Sequence, residues 1–375
     1  MAENKDKKVL NVPNIRFPEF KEEWEKCRLD KVATIVGGGT PDTNNSVFWN
    51  GSIQWFTPSE VGKNKYISHS IRKISEEGLK KSSAKLLPIG TILLSSRATI
   101  GECSINTIEC TTNQGFESLI INQDNYNEFF FYLIQTKRKE LIRKSCGSTF
   151  LEISSNEIKK INITKPSRKE QEKIASFLSL LDERIATQNK IIDKLESLIK
   201  GITQRIVHGN KPNTQIANCL KCSSSSLQES EVKETGIYPV YGANGIVGYL
   251  DNYSTKNEAI YIIKDGSGVG SVSYVTGECS ATGTLNILEA NKDFSLLYLY
   301  YILKIFNFNP YRTGMAIPHI YFKDYSKAKI FCPPYEKQVK YAKLLSAIEE
   351  KLITEQKILD SINLQKQYLL RQMFI

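Results

Sequence analysis

The chain has little histidine: three residues, at 69, 208 and 319, in 375. Histidines so far apart suggest neither a catalytic triad nor a metal set. Long apolar runs are missing as well. No stretch approaches the roughly 20 residues of a membrane span, and the opening Met1–Lys8 is polar and charged. Neither a transmembrane helix nor a signal peptide is expected, which favours a cytoplasmic protein. The eight cysteines, at 27, 103, 110, 146, 219, 222, 279 and 332, are scattered and read as reduced thiols. Cys219 and Cys222 form one CxxC, but a structural zinc site needs four ligands and no second CxxC or His pair lies nearby. A cofactor-binding Rossmann unit and an acidic metal cluster are also missing. The expectation is therefore no catalysis, no cofactor and no metal, which weighs against a self-contained DNA methyltransferase or nuclease.

What is present is ordinary in composition and unusual in arrangement. Hydrophobic residues make up 41% and charged residues 24%, as in soluble globular proteins. The net charge of +10, with a pI near 9.0, tilts toward a polyanionic partner and is also compatible with plain solubility. The length suggests two to three domains.

A long helical segment is written twice. Gln171 falls on Gln338, a shift of 338 − 171 = 167 residues. The same shift places Ala175 on Ala342, Leu178 on Leu345, Ser179 on Ser346, Glu183 on Glu350, Lys190 on Lys357 and Ile191 on Ile358. A repeat of this period sets the architecture before any local motif does. In the first copy Ile174, Leu178, Leu181, Ile185, Ile192, Leu195, Ile199, Ile202 and Ile206 step by fours and threes, interrupted by Gln188. In the second, Tyr341, Leu345, Ile348, Leu352, Leu359, Ile362, Leu369 and Met373 do so, interrupted by Glu355 and Lys366. This spacing is a coiled-coil seam, and a polar residue at one seam position fixes register. Ser167 with Glu170 reads as a capping box after Pro166, and Gly209 followed by Pro212 stops the first helix. Gln171 to Val207, at about 1.5 Å per residue, gives a rod of roughly 55 Å. The helices read as pairing with each other rather than only lying on their own globules.

Each helix follows a globule of short apolar runs broken by Gly, Asn and Ser, such as Gly90–Ser96 and Glu258–Ile263, which read as strands of a mixed sheet. Each globule also carries an aromatic-rich helix, near Tyr126–Ile142 and Phe294–Phe306. The expected fold is α+β, with two mixed α/β domains joined by two long antiparallel coiled-coil helices in an internal pseudo-two-fold repeat. The boundaries are 1–165 for the first domain, 166–209 for the central helix, 210–332 for the second domain and 333–375 for the C-terminal helix. The globules match more faintly than the helices. Arg97–Gly101 and Gly266–Gly270 each follow an apolar strand, and Gly147, Ile153 and Ile163 fall on Gly314, Ile320 and Ile330 at the 167 shift. Three enzyme-like motifs lack their context. Cys332-Pro-Pro-Tyr335 resembles a methyltransferase signature without its Asn, and it sits where a helix begins. Gly266–Gly270 is followed by a strand-like alternation rather than the helix a phosphate loop needs. Gly37-Gly-Gly-Thr-Pro41 reads as a turn.

The chain resembles the specificity subunit of Type I restriction-modification systems over nearly its whole length. The resemblance is carried by Ile15-Arg-Phe-Pro-Glu-Phe20 with Trp24, Trp55-Phe-Thr-Pro-Ser59, Leu94–Gly101, Thr112–Phe116, Tyr238–Gly245 with Gly248-Tyr249, and above all Glu170-Gln-Glu-Lys-Ile-Ala175. It implies two target-recognition domains that each read one half of a bipartite double-stranded DNA site. The helices would act as spacer and dock two methyltransferase subunits, with restriction subunits joining the full complex. One departure stands out: the second globule has no counterpart of the Phe17–Trp24 opening.

Base edges are read by Arg, Lys, Asn, Gln, Ser and Thr. The candidates in the first domain are Arg97, Thr99, Asn113 and Gln114. Those in the second are Tyr241, Asn244, Lys264, Ser267, Thr282 and His319. Lys80-Lys81, Lys137-Arg138-Lys139 and Arg143-Lys144 are candidate phosphate holders. For docking on the helices the candidates are Leu181, Ile185, Gln188, Ile192, Ile348, Leu352, Glu355 and Leu359. The competing reading is a coiled-coil scaffold whose globules bind proteins.

Overall fold

Three consecutive apolar residues, Ile92-Leu93-Leu94, show how the sequence builds the first domain. In a strand, neighbours point to opposite faces. Ile92 and Leu94 enter the main core with Phe129, Phe130 and Leu133, while Leu93 enters a smaller cluster with Phe56, Leu87 and Phe116. Both faces are covered, so the run is continuous rather than alternating. The second domain repeats the device: Ile260 and Ile262 face one core, Ala259 and Tyr261 the other.

The computed structural model describes residues 11–147 and 151–375. These form two compact units: residues up to Ala186 with Asp360–Ile375, and Thr187–Leu359. In the first unit the strands are β1 (Glu25–Arg28), β2 (Ala33–Gly37), β3 (Trp49–Phe56), β4 (Tyr66–Ile67), β5 (Arg72–Ile74), β6 (Ile92–Leu94), β7 (Cys103–Asn106), β8 (Cys110–Thr112), β9 (Glu117–Ile121) and β10 (Asn162–Lys165). They make a sheet ordered β2-β9-β6-β7-β4, a second ordered β5-β3-β8, and the antiparallel pair β1-β10.

The second unit holds β11 (Thr214–Gln215), β12 (Leu220–Ser224), β13 (Tyr238–Gly242), β14 (Gly245–Leu250), β15 (Glu258–Ile263), β16 (Val272–Thr276), β17 (Ser280–Ala281), β18 (Leu285–Ala290) and β19 (Lys329–Ile330). Its sheets are ordered β12-β18-β15-β16, β14-β13-β17 and β11-β19. Strand for strand this is the first pattern, down to the parallel pairs β3-β8 and β13-β17. Only β4 has no counterpart among the described residues. The faint repeat between the globules is therefore a topological duplication in all strands but β4.

The two helices run Arg168–His208 and Tyr335–Met373. Among the described residues no helix is long and apolar enough to cross a membrane. Within the first unit Leu178 and Leu181 share a core with Met373 and Phe374, and Asp182 meets Lys366 at 2.5 Å. Within the second, Ile199 and Ile206 share a core with Ala342 and Leu345, and Gln188 reaches Glu355. In each unit the helix segments run antiparallel, and they pack on the globule as well as on each other.

The same fittings seat each globule on its helix. Gln171 accepts from the Tyr126 amide at 2.9 Å and donates to Pro166 O at 3.0 Å. Gln338 accepts from the Ser295 amide at 2.9 Å and donates to Pro333 O at 2.8 Å. Tyr126 and Ser295 are the N-caps of the aromatic helices Asn127–Thr136 and Leu296–Lys304. One acid per half then holds an aromatic helix by its tyrosines. Asp182 accepts from Tyr132 at 2.5 Å, and Glu349, at 349 − 167 = 182, accepts from Tyr301 at 2.7 Å and Tyr300 at 3.1 Å.

The capping-box expectation needs correction. The Glu170 carboxylate, 1% exposed, is taken by Arg16 through two hydrogen bonds of 2.7 Å and by the Trp24 indole at 3.2 Å. It thus pins the opening segment, which the second unit lacks: there the domain begins directly at β11, the counterpart of β1. The cysteines of the CxxC are free thiols, in line with the reduced state expected of them. The neighbour of Cys219 is Cys332, with sulfurs 3.6 Å apart and both thiols free.

Candidate nucleic-acid interface

The loop leaving β6 is held tightly before it turns outward. Ser95 and Ser96 are buried, and their amides donate to Glu102 O at 2.9 Å and Gly115 O at 2.8 Å. Ala98 then takes the left-handed conformation (φ +56°), unusual for a residue with a Cβ. Arg97, half-exposed, pairs through Nε with Glu152 at 2.7 Å. The Thr99 hydroxyl is spent inside the loop, 3.1 Å from Ser95 Oγ and 3.3 Å from Pro58 O.

Asn113 and Gln114 lie on the turn between β8 and β9. Asn113 Oδ1 accepts from the Gly115 amide at 2.9 Å, so it shapes the turn. Gln114 is exposed, and its Oε1 accepts from Thr40 at 2.5 Å. The glycine turn packs here too. A Cβ on Gly38 would lie 2.0 Å from Asn113 O, which is why this segment is glycine. The structure therefore gathers all four first-domain candidates beside one another. Arg97 and Gln114 present side chains outward, while Thr99 and Asn113 support the loops.

The second domain reproduces the arrangement. Lys264 and Asp265 follow β15, Gly266 is left-handed (φ +94°), and Ser267 is exposed. The Lys264 amide donates to Thr284 O at 3.0 Å, and the Ile320 amide donates to Lys264 O at 2.9 Å. His319 Nδ1 lies 2.6 Å from Asp265 Oδ1. Tyr241 is half-buried against Tyr261, with ring centroids 5.8 Å apart. Asn244 is exposed in the turn between β13 and β14. Thr282 is corrected to a structural residue: it is 1% exposed and its hydroxyl bonds Thr284 at 2.8 Å. The loop Gly266–Gly270 leads into β16, a strand, as its sequence indicated.

Sequence reasoning missed Glu152 and Asp265, the carboxylates that hold Arg97 and His319. A signal existed: Glu152 falls on His319 at the 167 shift (319 − 152). Of the basic clusters, Arg138 pairs with Glu102 at 2.5 Å and Lys144 with Glu140 at 3.4 Å. Lys80 and Lys81 are exposed at the end of a short helix.

The helix candidates also need correction as contact residues. Leu181, Gln188, Ile192, Glu355 and Leu359 are buried, and Ile185, Ile348 and Leu352 half-buried, in the seam within the chain. The helix residues open to a partner are others: Leu180, Ile191, Leu198, Ile353, Ile358 and Leu364 are all at least 36% exposed.

A family model described as the Type I restriction modification DNA specificity domain matches residues 21–197 and again 211–364. The specificity subunit of the Type I restriction enzyme MjaIX of Methanocaldococcus jannaschii is 38% identical over 192 residues, covering 47% of this chain and 44% of that one. In that alignment the chain spans less than half of the relative's length. The EcoprrI specificity subunit of Escherichia coli is 26% identical over 361 residues, covering 87% of this chain and 88% of the relative. The crystal structure of the Type I restriction-modification S subunit from M. genitalium superposes with a TM-score of 0.66 at 17% identity, over 97% of this chain and 99% of that chain. A chain from a structural study of type I R-M complex assembly superposes at 0.58 with 16% identity, over 94% and 97%. At these identities the superpositions establish the fold.

Proposed function

The chain belongs to the Type I restriction-modification DNA specificity family, and on that premise we propose that it is the DNA-recognition subunit of such a complex in the cytoplasm. Each globule reads one half of a bipartite double-stranded site. The long helices serve as spacer and dock two methyltransferase subunits, and restriction subunits join the full assembly. The chain itself does no chemistry; methylation and cleavage belong to its partners. By this assignment 1–165 and 210–332 are the reading domains, while 166–209 and 333–375 are the spacer helices.

The observation that carries the reading is the duplication of topology together with divergence of the loops. The strand order and helix seats are the same twice, whereas the residues offered by the loops differ: Arg97 and Gln114 in one half, Lys264, Ser267 and His319 in the other. Two like scaffolds with unlike tips suit a composite site of two different halves. The net charge of +10 supports a polyanionic partner.

Long-read methylation sequencing of cells with and without the gene tests this directly. Loss of one bipartite methylation motif on deletion is the expected result. An unchanged methylome, together with salt-insensitive or absent DNA binding by the assembled complex, would favour the protein-binding scaffold instead.

A further inference from the structure

One contact between a carboxylate and a nitrogen side chain is built at the same place in both domains with its partners exchanged. In the first, the backbone of Glu152 pairs antiparallel with Arg97 on one side and Cys146 on the other. In the second, the backbone of His319 pairs antiparallel with Asp265 and with Thr313. Cys146 falls on Thr313 and Glu152 on His319 at a shift of 167, while Arg97 falls on Asp265 at 168. The next backbone bonds match too: the Ile153 amide donates to Ser96 O at 3.1 Å, and the Ile320 amide to Lys264 O at 2.9 Å. So the nitrogen side chain comes from the loop and the acid from the return segment in one half, and the assignment is exchanged in the other.

All four side chains are between 34% and 43% exposed. Surface pairs of this kind add little to stability. What such a contact does achieve is orientation. Arg97, held through Nε, still carries its two terminal amino groups, the fork that suits the paired acceptors of guanine. His319, held through Nδ1, presents Nε2 away from its partner. The neutral tautomer that donates Nδ1–H to Asp265 leaves Nε2 as an acceptor for the exocyclic amine of adenine or cytosine.

We propose that Glu152 and Asp265 are positioning residues that aim Arg97 and His319, and that these two side chains determine one base in each of the two half-sites. The inference rests on the DNA-reading function proposed above. Arg97 selects guanine, and His319 selects a base that offers an amine.

The test is the methylation motif written in cells by the complex carrying single variants of this chain. Arg97→Ala and Glu152→Ala are expected to relax the same single position of one half-site, by about tenfold or more in preference for the arginine change. Glu152→Gln, which keeps an acceptor oxygen, restores it. His319→Ala and Asp265→Ala relax one position of the other half-site, and Asp265→Asn restores it. If an alanine variant abolishes methylation through misfolding, Arg97→Lys takes its place; it keeps the charge, loses the fork, and is expected to relax the same position. The proposal is overturned if the acid variants leave the motif intact while the reader variants change it. It is equally overturned if paired variants alter different positions, or if methylation falls uniformly with the motif unchanged. A wild-type chain that writes no bipartite motif would instead refute the underlying reading.

Discussion

Gln188 meets Glu355, its own image one repeat later (355 − 188 = 167): its side-chain amide donates to Glu355 O at 3.0 Å and also to the carboxylate. In an antiparallel pair the facing residue numbers rise on one strand as they fall on the other, so a residue can face its repeat image at only one level. The polar seam position thus marks that level. Lys351 and Gln188 hold the Glu355 carboxyl below its usual range. Gln188→Leu removes the hydrogen-bond donor that faces Glu355 in the seam, leaving it Lys351 alone, and is expected to lower the melting temperature. The double change Gln188→Leu with Glu355→Leu is expected to recover or exceed the wild-type value while loosening helix register. A double-mutant cycle by calorimetry measures the coupling.

Each seating glutamine is expected to matter to its own unit. Gln171→Ala leaves the Tyr126 amide and Pro166 carbonyl without their partner, and Gln338→Ala does the same for Ser295 and Pro333. Stranded buried groups cost about 1–3 kcal/mol. Hydrogen exchange should speed up in Asn127–Thr136 for the first variant and in Leu296–Lys304 for the second.

The opening segment is held by a nearly buried ion pair, with Arg16 and Glu170 side chains 13% and 2% exposed. Removing one partner of such a pair costs about 3–5 kcal/mol. Arg16→Ala is therefore expected to shift the denaturant midpoint of the first unit well below that of the wild type. A substitution at exposed Arg143 serves as the control that leaves it unchanged.

Acid should loosen the second domain from its helix. Burial acts to raise the Glu349 carboxyl, but hydrogen bonds from Lys304 and Tyr301 outweigh it and hold the group below its ordinary value. A lowered folded-state value means the ionised form is favoured by folding. That stability is present above the unfolded carboxylate value of about 4.3 and is lost as pH falls through the folded value. Glu349→Gln is expected to flatten stability against pH below about 5, relative to wild type. Thermal melts between neutral pH and the acid limb read this out. Glu128, held low in the first unit by Lys65, gives a parallel control.

Seam and outer face should separate folding from docking. Leu181→Asp with Ile348→Asp places charge in the seam (348 − 167 = 181) and is expected to destabilise the chain. Ile191→Asp with Ile358→Asp changes equivalent outer positions, 36% and 37% exposed, and should leave the melting temperature near wild type. The seam variant is expected to lose the co-purifying methyltransferase together with stability, and the outer double variant to lose it with stability unchanged. Retention there would locate docking elsewhere.

The duplication, the helices and their seam were legible because they rest on local periodicity and on identities at one constant shift. Gln171 and Gln338 explain part of that: the same amide geometry is needed twice, and a substitution would strand a backbone group. Sheet order was not legible, since strands as short as Ile92–Leu94 or Ser280–Ala281 carry no record of their non-local partners. Glu170 was misread because a capping box is a local pattern, whereas Arg16 reaches it from 154 residues away. Thr99 and Thr282 were chosen for residue type, which says nothing about where a hydroxyl is spent. Glu152 and Asp265 escaped notice because a carboxylate is a poor DNA ligand by itself. Its use emerges only beside the side chain it aims.

The glutamine seats have a consequence for exchange. A globule presents its helix with one backbone amide and one aromatic face, and both halves of the chain answer with the same amide and an acid at the same position. The molecule therefore carries two copies of one socket. A globule of this topology, moved from one socket to the other, would find its fittings already in place, so new pairs of tips can be assembled without redesigning the frame.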